Sequence, residues 1–486
     1  MAFNALLPPA LGLLFHSSHV VDQWDTWAFV ENSTFYAFYL VLEPDTWFSQ
    51  SFGVASSPDG VHFTDHGVVF TGRCLDPPCP PRPWPRGFWM GSGSVWRAAH
   101  PASAARYVVN WSQERGLSQT ISFALSDDLL TWRASPTVFP IDPRYYTPSA
   151  PNGVRWDGIY SLPADAAAGR DAFPRLGYWT ATPAGCGPYG LCNHTMGFGA
   201  SRDGLTWEAR PSPLMEPPTV HWSEVGAVER IAYRNGTAAA YFALLGGNAE
   251  NQLAEMVTYL AAQPDGPFRA ATRNRVLLPK PSCYFARFFR GGGGELLVTH
   301  QSFSRVGRAY VAPFKAARVD DDATLRLAWW EGNQRLKGRP VRVRLDADGS
   351  LLPRLDPSLG SVLEASFPLP PAGATLPSWP GFVFEQADGG ATLLAVDAAA
   401  RCAAANLTSA APPSVVHTWD RELPPLPAGE LVVARLLYRR DMLELYVNDV
   451  LLPVYLLPPT TGSVRVVNIE AQGGAADRIR RWDMSL

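Results

Sequence analysis

An all-β protein is predicted, a five-bladed β-propeller followed by a β-sandwich, and three observations predict it. A turn motif recurs, short aromatic-rich runs fill the intervals between its copies, and no long amphipathic helical pattern competes with them. The turn reads Ser57-Pro58-Asp59-Gly60-Val61-His62-Phe63, then Ser126-Asp127-Asp128-Leu129-Leu130-Thr131-Trp132, then Ser201-Arg202-Asp203-Gly204-Leu205-Thr206-Trp207. Each places a turn-forming Asp between a Ser and an aromatic six positions later. A weaker copy, Gln263-Pro264-Asp265-Gly266-Pro267-Phe268, keeps the Asp-Gly.

Arg106-Tyr107-Val108-Val109, Ile121-Ser122-Phe123-Ala124, Gly177-Tyr178-Trp179-Thr180 and Ala240-Tyr241-Phe242-Ala243-Leu244 are strands by composition. Four strands per repeat of about 66 residues describe a propeller blade, in which radial repetition protects the strand edges. Five blades fit between Val20 and Pro353, with Asp346-Ala347-Asp348-Gly349 as the last hairpin turn. The propeller is assigned to residues 1–355 and the sandwich to residues 356–486, joined through the turn-rich stretch from Asp356 to Ser361. In the sandwich, the stretch from Tyr438 to Val447 alternates apolar and polar residues and then turns at Asn448-Asp449. The sandwich reads as a brace, since no exposed aromatic cluster marks a sugar-binding face in it.

The 41 Lys and Arg against 44 Asp and Glu leave a formal charge of -3, so nothing basic points to nucleic acid or an anionic membrane surface. No run approaches the roughly 18 consecutive apolar residues of a membrane span. Met1 to Phe15 is apolar but lacks a basic start and carries Pro8-Pro9, so it is read as part of the fold. The expected partner is a small neutral molecule or oligosaccharide, the expected state a monomer or homodimer, and neither metal nor cofactor is called for.

Cysteine spacing suggests loop-pinning disulfides at Cys74 with Cys79 and at Cys186 with Cys192, leaving Cys283 and Cys402 as buried thiols. Glycosylation sequons begin at Asn32, Asn110, Asn193, Asn235 and Asn406. Together they favour a secreted or secretory-lumenal protein.

The repeat also picks out carboxylates. Asp25, between Trp24 and Trp27, opens the first blade; two periods on comes Asp157 beside Trp156, and one more brings Glu224 after Trp222. Equivalent phases of a propeller repeat point at one end of the central axis. Converging carboxylates with aromatic walls are what glycosidic chemistry uses: one ionised group attacks the anomeric carbon, a protonated one feeds the leaving oxygen, and a third steadies the ring. The walls and polar contacts are assigned to Trp24, Trp27, Trp89, Ser92, Arg155, Trp156, Trp222 and Tyr284. Asp22, Asp142 and Glu229 are rivals for the three carboxylate roles.

With those residues in view, the chain resembles the five-bladed propeller glycoside hydrolases of families 32 and 68, with family 43 more distant. Trp24-Asp25-Thr26-Trp27 is similar to the levansucrase nucleophile segment, Gly91-Ser92-Gly93-Ser94 to the shared Ser-Gly-Ser segment, and Tyr284-Phe285-Ala286 to the opening of blade five. The tail, including Ile479-Arg480-Arg481-Trp482-Asp483-Met484, resembles the family 32 sandwich. The resemblance implies Asp25 as nucleophile, Asp157 as transition-state stabiliser and Glu224 as acid/base of a retaining β-fructofuranosidase. An arabinofuranosidase, a fructosyltransferase and an inactive sugar-binding relative are the alternatives it leaves. Departures are visible: Arg155-Trp156-Asp157-Gly158 stands for Arg-Asp-Pro, Glu224-Val225-Gly226 for Glu-Cys-Pro, and the Asn-Asp-Pro-Asn signature is missing.

Overall fold

The repeated turn is a repeated set of hydrogen bonds. Ser57 Oγ accepts from Gly60 N (2.8 Å), while Asp59 Oδ1 accepts from Val61 N and His62 N (2.9 Å each). Ser126 with Asp128 and Ser201 with Asp203 bond the matching backbone groups in the same way. The Ser and Asp thus supply the acceptors that a tight turn leaves its N–H groups seeking. Each turn joins the third strand of a sheet to the fourth.

The computed structural model describes residues 14–42, 49–72, 90–98, 105–115, 118–148, 154–164, 173–186, 191–192, 196–220, 223–246, 256–277, 283–304, 308–408, 411–419, 431–468 and 478–485. Five antiparallel sheets follow one another along the chain. The first holds Asp22–Glu31, Thr34–Leu42, Ser49–Ser57 and Thr64–Thr71. The second holds Val95–Arg97, Tyr107–Arg115, Ser118–Ser126 and Arg133–Phe139. The third holds Trp156–Pro163, Arg175–Ala181, Met196–Ser201 and Trp207–Arg210. The fourth runs Glu224–Ala232, Ala239–Gly246, Met256–Ala261 and Phe268–Leu277. The fifth runs Cys283–Arg290, Leu296–Phe303, Lys315–Val319 and Leu325–Trp329. The first strand of sheet one touches those of sheets two and five, and the first strand of sheet four touches those of sheets three and five. The first strand of sheet three in turn touches the second and third strands of sheet two, so the five sheets neighbour one another in the order expected of propeller blades. Aromatic cores fill the gaps between sheets. Phe15 pairs with Val311 through two backbone bonds (3.3 and 2.9 Å), tying the start of the described chain to sheet five.

Two further sheets face each other around an apolar core. One takes Lys337–Val341, Ser361–Pro368, Leu431–Arg439, Met442–Val447, Val450–Leu456 and Ile479–Met484; the other takes Gly381–Gln386, Ala391–Val396, Cys402–Thr408, Ala411–Trp419 and Thr460–Val467. The hairpin at Asn448-Asp449 forms as expected, with positive φ at both residues (45° and 66°).

Two expectations shift. The turn at Asp346–Gly349 belongs beside the sandwich, where Val466 N bonds Gly349 O; the fifth sheet turns instead through Asp320–Ala323. Lys337–Val341 already pairs with Ile479–Met484, and Leu351 and Leu355 sit in the sandwich core. The sandwich therefore draws on chain well ahead of Asp356.

The sandwich joins sheet five edge to edge: Ala328 pairs with Val450, and Trp329 N bonds Asp449 O at 2.6 Å. Behind this join Lys315 Nζ meets Glu444 Oε1 at 2.5 Å, both side chains fully buried. Tyr446 donates to the other Glu444 oxygen (2.6 Å), and Lys315 also reaches Pro313 O.

Cys186 is disulfide-bonded, and Cys283 and Cys402 are buried cysteines outside any disulfide. Cys74, Cys79 and the Cys192 side chain lie outside the described residues. Among the described residues no helix is long and apolar enough to cross a membrane.

Candidate active site

Four inner strands carry a bulge at the same phase. In the first sheet Trp24 pairs with Leu40 and Thr26 with Tyr39, so Asp25 is the extra residue, at φ 33°. Sheets three, four and five break register around Gly158, Gly226 and Phe285-Ala286. A bulge re-aims the side chains beside it, and here it turns them off the sheet faces towards the axis. The left-handed backbone at Asp25 is unusual for a residue with a Cβ and marks a strained, specialised position. Close approach of the strands demands glycine: a Cβ on Gly93 would lie 1.6 Å from Asn110 O, and one on Gly158, at φ 38°, 2.4 Å from Ser92 O.

The three carboxylates meet. Arg155 Nη2 donates to Asp157 Oδ2 (2.8 Å) and to Glu224 Oε1 (2.9 Å), bridging sheets three and four. Tyr284, from sheet five, donates its hydroxyl to Glu224 Oε2 at 2.5 Å. Ser112, from sheet two, donates to Asp157 Oδ1. Asp25 enters from sheet one, hydrogen-bonded to Ser92 and within the fields of Glu224, Arg287 and Asp157. Ser92 Oγ in turn accepts from Arg287 Nη2 at 2.8 Å. All five sheets contribute.

Burial is the main force lifting the Asp25 carboxyl from 3.8 to about 7; the negative charge of Glu224 adds to it, Arg287 opposes it, and Asp157 adds a smaller push. Burial works against the Arg155 guanidinium, but Glu224 and Asp157 overcome it and hold the group firmly charged. Burial and the charge of Glu224 push the Tyr284 hydroxyl well above its ordinary range, which keeps it a donor. A carboxyl raised to about 7 beside a charged guanidinium is the kind of environment-driven shift that acid/base chemistry on a sugar uses, and Asp25 is a nucleophile only in the fraction that is ionised.

Of the assigned contacts, Ser92, Arg155 and Tyr284 join the carboxylates, and Trp24 stays partly exposed with its ring 5.1 Å from Phe303. Trp27 and Trp156 do not form walls. Trp27 is 2% exposed and stacks on Phe38 (5.7 Å) between sheets one and two. Trp156 is fully buried between Trp179 and Phe139 and donates to Phe139 O. Both follow the regular alternation of their strands into the inter-sheet cores, while the bulge turns only its own neighbours inwards. Trp89 and Trp222 lie outside the described residues.

The rivals are elsewhere. Asp22 turns to His16 (3.6 Å), Asp142 pairs with Arg144 in an exposed turn (2.6 Å), and Glu229 meets Tyr160 (2.9 Å) and Arg290 (2.7 Å) further along its strand. Asn110 is no glycan acceptor: it is fully buried and bonds Ile159 N, Ile159 O and Ser94 O. Sequence reasoning missed Arg287 and Ser112. Arg287 carried a signal, a cation set in the middle of an otherwise apolar run, residues 283–289; Ser112 was hidden as the third residue of a sequon.

No protein-family model matches the sequence. No curated protein matches it either. Solved structures do match in shape. A fructofuranosidase from Schwanniomyces occidentalis in complex with fructosylnystose superposes with a TM-score of 0.68 at 11% identity, covering 97% of each chain. An exo-inulinase from Aspergillus awamori gives 0.65 at 13%, again with 97% of each chain covered. Sucrose-6-phosphate hydrolase from Lactobacillus gasseri gives 0.66 at 11%, covering 95% of this chain and 91% of its own. The propeller circuit and the two facing sheets are thus accounted for together: this chain has the fold of the glycoside hydrolase family 32 fructofuranosidases and inulinases.

Proposed function

We propose that the protein is a retaining glycoside hydrolase acting on β-fructofuranosides of the sucrose or fructan type. The observation that carries the reading is the bridge from Arg155 to Asp157 and Glu224, formed beside Asp25 at the bulged starts of the inner strands. Ionised Asp25 attacks the anomeric carbon as Glu224 passes a proton to the departing oxygen, and the glycosidic bond breaks as the covalent ester forms. Water then attacks the same carbon and gives its proton to Glu224, restoring both carboxyls. Asp157, fixed by Arg155 and Ser112, accepts from ring hydroxyls and shares the positive charge that grows on the ring. The disulfide at Cys186 and the exposed Asn32 and Asn235 sequons support a place in the secretory pathway.

Sugar release from sucrose, inulin, levan and aryl furanosides tests this, with Asp25→Asn alongside. Fructose release that falls by about 10⁴-fold or more in the variant supports the chemistry and the nucleophile. Release only from another furanoside moves the substrate; silence on all of them, with sugar binding retained, returns the protein to a binding role.

A further inference from the structure

The inner strands that present the carboxylates at their starts end around a second cavity, at the opposite end of the axis. Its volume is about 290 Å³. At roughly 30 Å³ per water it has room for a group the size of a monosaccharide phosphate. Phe29, Trp96 and Tyr160 give it aromatic walls, and four arginines line it: Arg97, Arg175, Arg287 and Arg290.

The charges do not balance. Arg97 pairs with Glu31 (2.8 Å) and Arg290 with Glu229 (2.7 Å). Glu229 is committed further, since it also accepts from Tyr160 (2.9 Å). Arg287 faces the carboxylates of the other end through Ser92. Arg175 has no acid at all among the described residues. Its Nε donates to Ser161 Oγ (2.8 Å), its Nη2 makes a long contact with Ser161 O (3.5 Å), and its guanidinium stands 5.6 Å from the Trp96 ring centre. One edge of the fork is thus used and the other is unspent.

Arg175 is half-buried, so its open edge is reachable from the cavity, and burial depresses the group to about 10, a shift that an anion bound there would oppose. An apolar-walled cavity with a forked donor and flanking cations is the arrangement that takes a planar or tetrahedral oxyanion through two parallel N–H bonds. A neutral sugar uses the rings but leaves the charge unanswered.

We propose that this far-end cavity binds a small oxyanion, a phosphate or carboxylate group either free or carried on a sugar, with Arg175 as the forked ligand and Arg97 and Arg290 as the flanking charges. The site is separate from the carboxylate cluster, and its occupancy is read without turnover.

Isothermal titration of the full chain with inorganic phosphate, fructose 6-phosphate and gluconate is the test, with fructose as the neutral control. Saturable one-to-one binding of at least one anion, weakened tenfold or more in Arg175→Gln and again in Ser161→Asp, is the expected result. Ser161→Asp keeps the cation and supplies the missing carboxylate, so it blocks the site by a different route. Thermal melts check that each variant is folded. Which anion binds tightest identifies whether the group is free or sugar-borne. Absence of binding by all three anions, or anion binding unaltered in both folded variants, overturns the proposal; fructose held at the other end is told apart by its indifference to both substitutions. None of these outcomes depends on whether the other end hydrolyses fructosides.

Discussion

Tyr284 donates its phenolic hydrogen to Glu224 Oε2 at 2.5 Å, on the carboxylate whose other oxygen is held by Arg155. Tyr284→Phe removes one of the two bonds that hold this carboxylate in place. A charge-assisted bond contributes about 1.5–3 kcal/mol, so kcat/KM falls by roughly tenfold or more. Steady-state kinetics of both proteins check it; an unchanged kcat/KM in the folded variant would separate Tyr284 from the acid/base.

Asp25 answers to pH in two ways. As the nucleophile it must be ionised, so kcat/KM rises as pH passes about 7. Arg287 holds that value down, and Arg287→Gln moves the acid limb to higher pH. Stability runs the other way. A folded-state carboxyl raised above 3.8 stabilises the fold fully below that value, and the contribution is lost as pH rises through about 7. Urea unfolding at pH 5 and pH 8 therefore costs the wild type stability that Asp25→Asn retains.

The join between sheet five and the sandwich rests on a fully buried pair, Lys315 with Glu444. Glu444→Gln leaves the ammonium without its counter-charge and destabilises the protein by about 3–5 kcal/mol in denaturant titration. His300, fully buried 3.8 Å from Glu444, is held neutral by burial and by Lys315, well below 6.5. A depressed histidine makes the unfolded chain bind the extra proton, so this group costs stability as pH falls below about 6.5. Melting temperature against pH, in wild type and His300→Asn, reads the difference.

Trp27→Ala and Trp156→Ala separate core from substrate wall. Each is expected to lose about 3–5 kcal/mol of stability. KM of the folded fraction is expected to stay where it was, because neither ring faces the carboxylates. A large rise in KM with intact stability would return these rings to the sugar pocket.

The sheets were legible because their turns are local: Ser57 and Asp59 satisfy N–H groups within five residues, and the pattern repeats wherever the fold repeats. Asp25, Asp157 and Glu224 were legible for the same reason, as one phase of that repeat. Trp27 and Trp156 were misread because only the residues at a bulge turn inwards, while these two keep the alternation that buries them between sheets, and nothing in Trp-Asp-Thr-Trp announces an extra residue at Asp25. Ser112 reaches Asp157 and Arg287 reaches Ser92 from other sheets, and such pairings exist only after the strands assemble. The turn at Asp346 also satisfies a backbone N–H, that of Ser350, with an Asp carboxylate, and such local chemistry does not say which sheet the turn serves.

The pairing of Phe15 with Val311 sets an order of assembly. Blade five is the last of the propeller to leave the ribosome, so the first strand waits through the synthesis of the other four with one flank open. Contacts of such long sequence separation form late and slowly. During that interval Leu14 and Phe15, buried in the finished fold, have no sheet five to cover them and stand as open apolar surface on the nascent chain.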